Sequence, residues 1–132
     1  QGLNVELINK RLFSAAGVDP ASFPKTIDGL PALCQTLKDK ASTVCDIRLT
    51  VNDLLAQMVY EGNVKPIGAD GKFAFDSAEA VAWLQMYVDM VTAGTGDTST
   101  ITTQDDRTGL LTSPAGQAPF YATGPHTTRA AK

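Results

Sequence analysis

Residues Asp70–Gly94 constrain the fold more than any other stretch, because they hold a complete helix with its own start and stop. Asp70-Gly71 is a turn dipeptide. Phe73 and Phe75 alternate around Ala74 in a short extended run. Asp76 stands three residues before Glu79, the spacing of a capping box in which Asp76 accepts from a first-turn amide and Glu79 reaches back. Behind it, Val81, Leu84, Val88 and Val91 recur at helical spacing, and Ala80, Trp83, Tyr87 and Met90 widen the apolar stripe. Gly94 supplies the stop by taking the left-handed conformation. A helix this apolar is expected to lie at the centre of a packed core. Burial of Trp83 and Tyr87 alone contributes several kcal/mol at about 25 cal/mol per Å².

The remaining elements follow in order around that helix. Gln1–Ile8 alternates Leu3, Val5 and Leu7 and predicts a strand. Asn9 caps a short helix, Lys10–Ala16, that Gly17 ends. The loop from Val18 to Pro24 contains two prolines, which exclude regular structure there. Thr26 caps a second helix to about Lys40, with Leu30, Leu33, Cys34 and Leu37 inward; Pro31 fits only near its start. Val44–Leu49 predicts a second strand, and Thr50 or Asn52 caps a helix through Tyr60. Glu61–Gly71 is a glycine- and proline-rich connection. Thr95–Thr103 is polar and expected to be exposed. Gln104–Leu111 predicts a further helix, and Ala118–Ala122 a last strand that Gly124-Pro125 breaks. Phe13, Phe73, Phe75, Trp83 and Tyr87 are expected in the core. The pattern is an α/β layered domain with a small sheet and a helical majority.

Composition excludes several classes. The 132 residues suffice for one domain with a single core. A net charge of −3 argues against non-specific binding to nucleic acid or anionic membranes. No apolar run approaches the ~20 residues of a membrane span, and no signal peptide is visible. Cys34 and Cys45 belong to no CxxC pair, and the single histidine, His126, is distant in sequence, so a zinc site is not expected. The two cysteines are either a disulfide in an oxidising compartment or buried thiols in a reducing one.

Catalytic patterns are equally sparse. One histidine leaves little room for a Ser–His–Asp arrangement, there is no GxSxG, and Gly94-Thr95-Gly96 lacks the strand–turn–helix setting of a phosphate loop. The acidic residues Asp105, Asp106, Glu61 and Asp70 read as solvated faces or caps. No enzyme and no cofactor are expected. Phe120-Tyr121 differs from the core aromatics, since Thr123-Gly124-Pro125-His126 follows directly. A strand end of that kind presents polar groups at a sheet edge, where α/β domains bind ligands; the alternative is a plain turn.

Five segments in order resemble the substrate-binding proteins of carbohydrate ABC importers, the maltose-type extracellular solute-binding proteins of family 1. Leu7-Ile8-Asn9-Lys10-Arg11-Leu12-Phe13 with Ala16-Gly17-Val18-Asp19 resembles the family's YNKDLFxxAGLD, and Pro24-Lys25-Thr26-Ile27-Asp28-Gly29-Leu30 its PKTWDEL. Asp70-Gly71-Lys72 with Phe75-Asp76-Ser77-Ala78-Glu79-Ala80-Val81 resembles DGKxxFDSPEAV, and Val88-Asp89-Met90-Val91 resembles VDLV. Gly116-Gln117-Ala118-Pro119-Phe120 with Thr123-Gly124-Pro125-His126 resembles GKAAMxxxGPW. The sequence departs from these patterns at His126, which replaces a tryptophan, at Ile27-Asp28-Gly29, and at Pro119, which suits a sheet edge.

The resemblance implies one lobe of a type II periplasmic-binding-protein fold: a small mixed sheet flanked by about five helices, residues 1–126 forming the lobe and 127–132 a polar tail. It places this sequence in the middle of the family's chain, building most of the second lobe, with a first-lobe segment before Gln1 and more after Lys132. By position, Tyr121, Thr123 and His126 fall near the cleft end of the last strand, and Arg48–Asn52 faces the same cleft. Tyr121 or His126 would then face a sugar ring, while Arg48, Thr50 or Asn52 hydrogen-bonds its hydroxyls. The expected partners are a saccharide and, within a complete two-lobed protein, a membrane permease. The alternative is a free-standing remnant that self-associates as a homodimer. The first reading implies a periplasmic or extracellular location with Cys34 joined to Cys45; a stand-alone fragment also fits the cytoplasm with free thiols.

Overall fold

Helix α1, Lys10–Ala16, shows how local chemistry sets the elements. The Asn9 side chain accepts from the Leu12 amide at 3.3 Å, and Gly17, at φ 66°, takes the left-handed turn that ends the helix. The computed structural model describes residues 5–46, 58–59, 64–97 and 118–123. Strand β1, Val5–Ile8, precedes α1, and two 3-10 turns, Pro20–Ser22 and Ile27–Gly29, follow it. The first turn corrects the expectation of an irregular loop. Proline is tolerated at the start of a helical turn because no partner is needed for its missing N–H, and Asp19 caps it by accepting from the Ala21 amide. Thr26 makes no side-chain cap. Helix α2, Leu30–Ala41, starts at Pro31's doorstep and buries Leu33, Cys34 and Leu37.

Strand β2, Cys45–Asp46, helix α3, Ala78–Thr92, strand β3, Gly96–Asp97, and strand β4, Phe120–Thr123, complete the described elements. β1 pairs antiparallel with β4, Leu7 opposite Tyr121 and Val5 opposite Thr123. β2 pairs parallel with β3. The single mixed sheet expected from the sequence is, among the described residues, two separate two-stranded ladders, with β2 packed beside β4. Three α-helices are described in full. Met58 and Val59 are helical, and the rest of that predicted helix, the predicted helix Gln104–Leu111 and the tail 127–132 lie outside the described residues.

The core is built from Phe13 and Ala16 of α1, Leu33, Cys34 and Leu37 of α2, Cys45 of β2, one stripe of α3, and Phe120 of β4. Phe23 packs its ring against Phe13 and Phe120, with centroids 6.5 and 5.1 Å apart. A disulfide joins Cys34 to Cys45, so the middle of α2 is tied covalently to β2.

Helix α3 corrects the sequence reading in two respects. Its cap is Ser77, whose hydroxyl accepts from the Ala80 amide at 3.3 Å, and Asp76 is exposed beyond it. Ser77 holds the extended backbone that an N-cap requires, one residue later than the capping-box spacing placed it. The buried stripe is Ala80, Trp83, Tyr87 and Met90, whereas Val81, Leu84, Val88 and Val91 are 52, 37, 54 and 40% exposed. The helix is apolar on two adjoining arcs, and the core covers the one bearing the large aromatic pair, whose rings stand 4.5 Å apart. At the C-terminus, Gly94 takes φ 66°. The Lys38 ammonium of α2 donates to the Ala93 carbonyl at 2.6 Å, placing a cation at the negative end of α3.

Two further expectations give way to the fold. Thr95 and Gly96 are buried: the Thr95 amide and hydroxyl both donate to the Met90 carbonyl, and Gly96 enters the β2–β3 ladder. Phe73 and Phe75 are not core. They sit on a hairpin held by Gly68 N–H to Lys72 C=O, 2.8 Å, and Ala74 N–H to Pro66 C=O, 3.1 Å. Their rings stack on each other at 5.8 Å with Phe73 77% exposed. An alternation of two aromatics predicts an extended run but not which side of it meets the core.

Candidate functional site

β4 is where the sequence places the ligand-facing residues. Tyr121 and Thr123 lie in this strand, at register positions opposite Leu7 and Val5 of β1. The strand is anchored at its start, since Pro119 and Phe120 are buried and the Asn9 amide donates to the Pro119 carbonyl at 2.8 Å. Pro119 therefore stands at the head of the strand, a position where its missing N–H breaks no ladder bond. Residues Arg48, Thr50, Asn52 and His126 lie outside the described residues. The chain leaves β2 at Asp46, two residues before Arg48, and β2 runs beside β4. The Cys34–Cys45 disulfide fixes the backbone immediately ahead of that segment.

A second feature emerges only from the packing of α2 against α3. An open cavity of about 480 Å³ lies between them, with Pro31, Ala82, Met86 and Met90 among its apolar lining and Gln35, Gln85, Asp89 and Thr95 as polar lining. Gln35 donates to Asp39 at 2.8 Å on α2, and Gln85 donates to Asp89 at 2.8 Å on α3. Each pair spans four residues, one helical turn, so the amide and carboxylate meet on the helix surface. An apolar floor with a few placed polar groups is the usual make-up of a small-molecule site, and the volume falls in the usual range. The signal for it was the repeated Gln-x-x-x-Asp spacing at Gln35–Asp39 and Gln85–Asp89, whose significance depends on the two helices lying side by side.

Among the described residues, no group of three His, Cys, Asp or Glu side chains is placed to hold a metal ion. No described helix is long and apolar enough to cross a membrane. The Asp70–Lys72 ion pair, at 4.0 Å with both side chains largely exposed, adds little to stability.

No family model and no curated protein matches this sequence. Solved structures do match in fold. A protein of Synechococcus sp. MITs9220, named as an oligosaccharide periplasmic-binding protein, superposes on 98% of this chain with a TM-score of 0.77 at 19% identity, the match covering 32% of its own length. An ABC transporter solute-binding protein of Thermotoga lettingae TMO, bound with α-D-tagatose, superposes on 94% of this chain with a TM-score of 0.69 at 25% identity and 33% of its length. The cyclic α-maltosyl-1,6-maltose binding protein of Arthrobacter globiformis gives 92%, 0.67, 24% and 31% for the same quantities. The chain thus has the fold of part of a periplasmic sugar-binding protein and spans about a third of the length of these neighbours.

Proposed function

We propose that this chain is a non-enzymatic, saccharide-binding lobe related to the substrate-binding proteins of ABC importers. The observation that carries the reading is the superposition of 98% of the chain on a periplasmic-binding-protein fold, in agreement with the five ordered motifs in the sequence. In this reading Tyr121, Thr123 and His126 lie near the cleft end of the last strand, where Tyr121 or His126 gives a face for a sugar ring, and Arg48, Thr50 or Asn52 hydrogen-bonds its hydroxyls. Residues 1–126 form the lobe and 127–132 a tail. The protein works in the periplasm or outside the cell, where the Cys34–Cys45 disulfide persists. In a complete two-lobed protein, closure of both lobes about a hinge would capture the sugar and present it to a permease.

A thermal-shift series with maltose, maltotriose, tagatose and a non-sugar polyol tests this reading. A saturable rise in melting temperature with one saccharide, lost in His126→Ala, is the expected result, because a ligand that binds only the folded state stabilises it by mass action. No shift with any saccharide at millimolar concentration would overturn it.

A second reading is favoured by one observation, the exposed valine and leucine stripe of α3. In it the lobe serves as a structural or interaction protein that associates with itself, without sugar transport.

A further inference from the structure

Two Asp-Gly steps occur in the sequence, Asp28-Gly29 and Asp70-Gly71, and there is no Asn-Gly. At such a step a chain can rearrange without an enzyme, because glycine puts no Cβ beside the amide that must reach the preceding carboxyl. The fold treats the two steps differently. Asp28-Gly29 lies in the 3-10 turn Ile27–Gly29, joined directly to α2. Its neighbours Ile27 and Leu30 pack against the core, and a Cβ on Gly29 would stand 2.7 Å from the Cβ of Pro24. Asp70-Gly71 lies at the tip of the hairpin in which Ile67 pairs with Phe73. Ala69, Asp70, Gly71 and Lys72 are exposed, Gly71 holds φ 78°, and nothing lies within 4 Å of where its Cβ would be. Each glycine amide donates one turn hydrogen bond, Gly29 to the Thr26 carbonyl at 3.2 Å and Gly71 to the Gly68 carbonyl at 3.0 Å. Those bonds do not separate the sites. What separates them is what else moves when the turn opens: core packing at Gly29, exposed hairpin contacts at Gly71.

We propose that Asp70 is a site of spontaneous modification, isomerising to isoaspartate in the folded chain, while the fold protects Asp28. In the first step the Gly71 amide nitrogen bonds to Cγ of Asp70, and its proton leaves with the carboxyl hydroxyl as water. The product is a cyclic imide. Water, the sole co-reactant, then opens the ring at either carbonyl. Attack at Cγ restores aspartate; attack at the main-chain carbonyl leaves the chain joined to Gly71 through Cβ and Cγ. Mass and oxidation state are unchanged overall. The isomer has one more methylene in its main chain, and the carboxyl that accepted from the Lys72 amide at 3.1 Å becomes part of that main chain. Both changes act on the short turn that sets the Gly68–Lys72 hydrogen bond and the Ile67–Phe73 pairing. The damage stays local, because none of the described core residues lies between 66 and 74.

Ageing the native chain for weeks at physiological temperature and neutral pH, followed by reduction, trypsin and chromatography with mass spectrometry, tests the proposal. Trypsin places the two steps in separate peptides, residues 26–38 and 49–72, and an isoaspartyl peptide elutes apart from its aspartyl form at the same mass. Isomer is expected in the 49–72 peptide at least about tenfold faster than in the 26–38 peptide, the ratio that follows from a difference of about 1.4 kcal/mol in opening free energy. In guanidinium with reductant, where no turn persists, the two peptides are expected to isomerise at similar rates. Asp70→Glu keeps the charge and removes the isomer, since the longer side chain does not close the same ring. Equal rates in the native chain overturn the proposal. A slow 26–38 peptide in the unfolded chain overturns it too, because sequence rather than fold then protects Asp28. Isomer that persists in Asp70→Glu belongs to Asp53, the other aspartate of that peptide, and overturns the assignment.

Discussion

Reduction of the Cys34–Cys45 disulfide should be the most informative perturbation of this fold. The bond closes a loop with a sequence separation of 11 residues, between the middle of α2 and the start of the β2–β3 ladder. In the chain-entropy description, cross-linking removes about 2.1 + 1.5R ln n cal/mol/K from the unfolded ensemble, which for this separation is about 2.8 kcal/mol at 25 °C. Spread over an unfolding entropy of about 2.1 cal/mol/K per residue, that corresponds to a fall of about 10 °C in melting temperature. Both cysteines are essentially inaccessible, at 0 and 1% exposure, so reductant acts only when the chain opens, and the comparison belongs at equilibrium. Guanidinium unfolding curves with and without excess reductant, each extrapolated to water, read the difference directly. Reduction leaves both sulfurs in the core and creates no large cavity, which isolates the loop term from packing. The double variant Cys34→Ala/Cys45→Ala should lose more, by the packing of two buried side chains. A reduced chain as stable as the oxidised one would refute the argument. It would mean that the unfolded chain already holds α2 and β2 together, leaving no entropy for the bond to remove.

The cap of α3 gives a sharp local test. Ser77→Ala should cost about 1 kcal/mol in chemical denaturation, while Asp76→Ala changes stability little; the reverse order would restore the capping-box assignment. Trp83 is the only tryptophan, 6% exposed, and its indole nitrogen is the one buried side-chain polar atom without a partner among the described residues. Trp83→Phe is therefore expected to cost far less than the roughly 3–5 kcal/mol of Trp83→Ala, since it removes an unsatisfied donor along with some packing; equal losses in urea titrations would contradict this. Gly17 and Gly94 both hold φ 66°, and an alanine there is strained by about 1–2 kcal/mol. Gly94→Ala should be the worse of the two, because its Cβ would meet the Lys38 ammonium at 3.2 Å whereas at Gly17 nothing lies within 4 Å. Thermal melts of the two variants settle the order.

The comparison of sequence with structure turns on particular residues. Helix α1 is readable in full, because its start and stop depend on Asn9 and Gly17 and on nothing remote. The end of α3 at Gly94 is readable for the same reason. Its cap was misplaced by one residue because Asp76 and Ser77 are both good caps, and only the backbone conformation at Ser77 separates them. The ligand-facing assignments at Arg48, Thr50, Asn52 and His126 derive from motif order and fall outside the described residues. For Tyr121 and Thr123 the structure supplies a strand and a register. The α2–α3 cavity shows in the linear pattern only as the repeated Gln-x-x-x-Asp spacing, because Gln35 and Gln85 are 50 positions apart and become neighbours of one space only when the helices pack.

By itself, the sequence determined what depends on near neighbours along the chain: helices α1 and α3 with their glycine stops at Gly17 and Gly94, the turn at Asp70-Gly71 and the abundance of apolar residues for a core. Only the tertiary structure decided which apolar surface is used. Helix α3 carries two adjoining apolar arcs with the same period, and periodicity cannot rank them. The arc of Trp83 and Tyr87 goes inward with the side chains of α1, α2 and β4, leaving Val81, Leu84, Val88 and Val91 towards solvent. The same packing sets Phe120 in the core and Phe73 outside it, although both are aromatics in short extended runs. Burial belongs to the arrangement of elements, because the hydrophobic effect rewards removal of area from water whichever residues supply it.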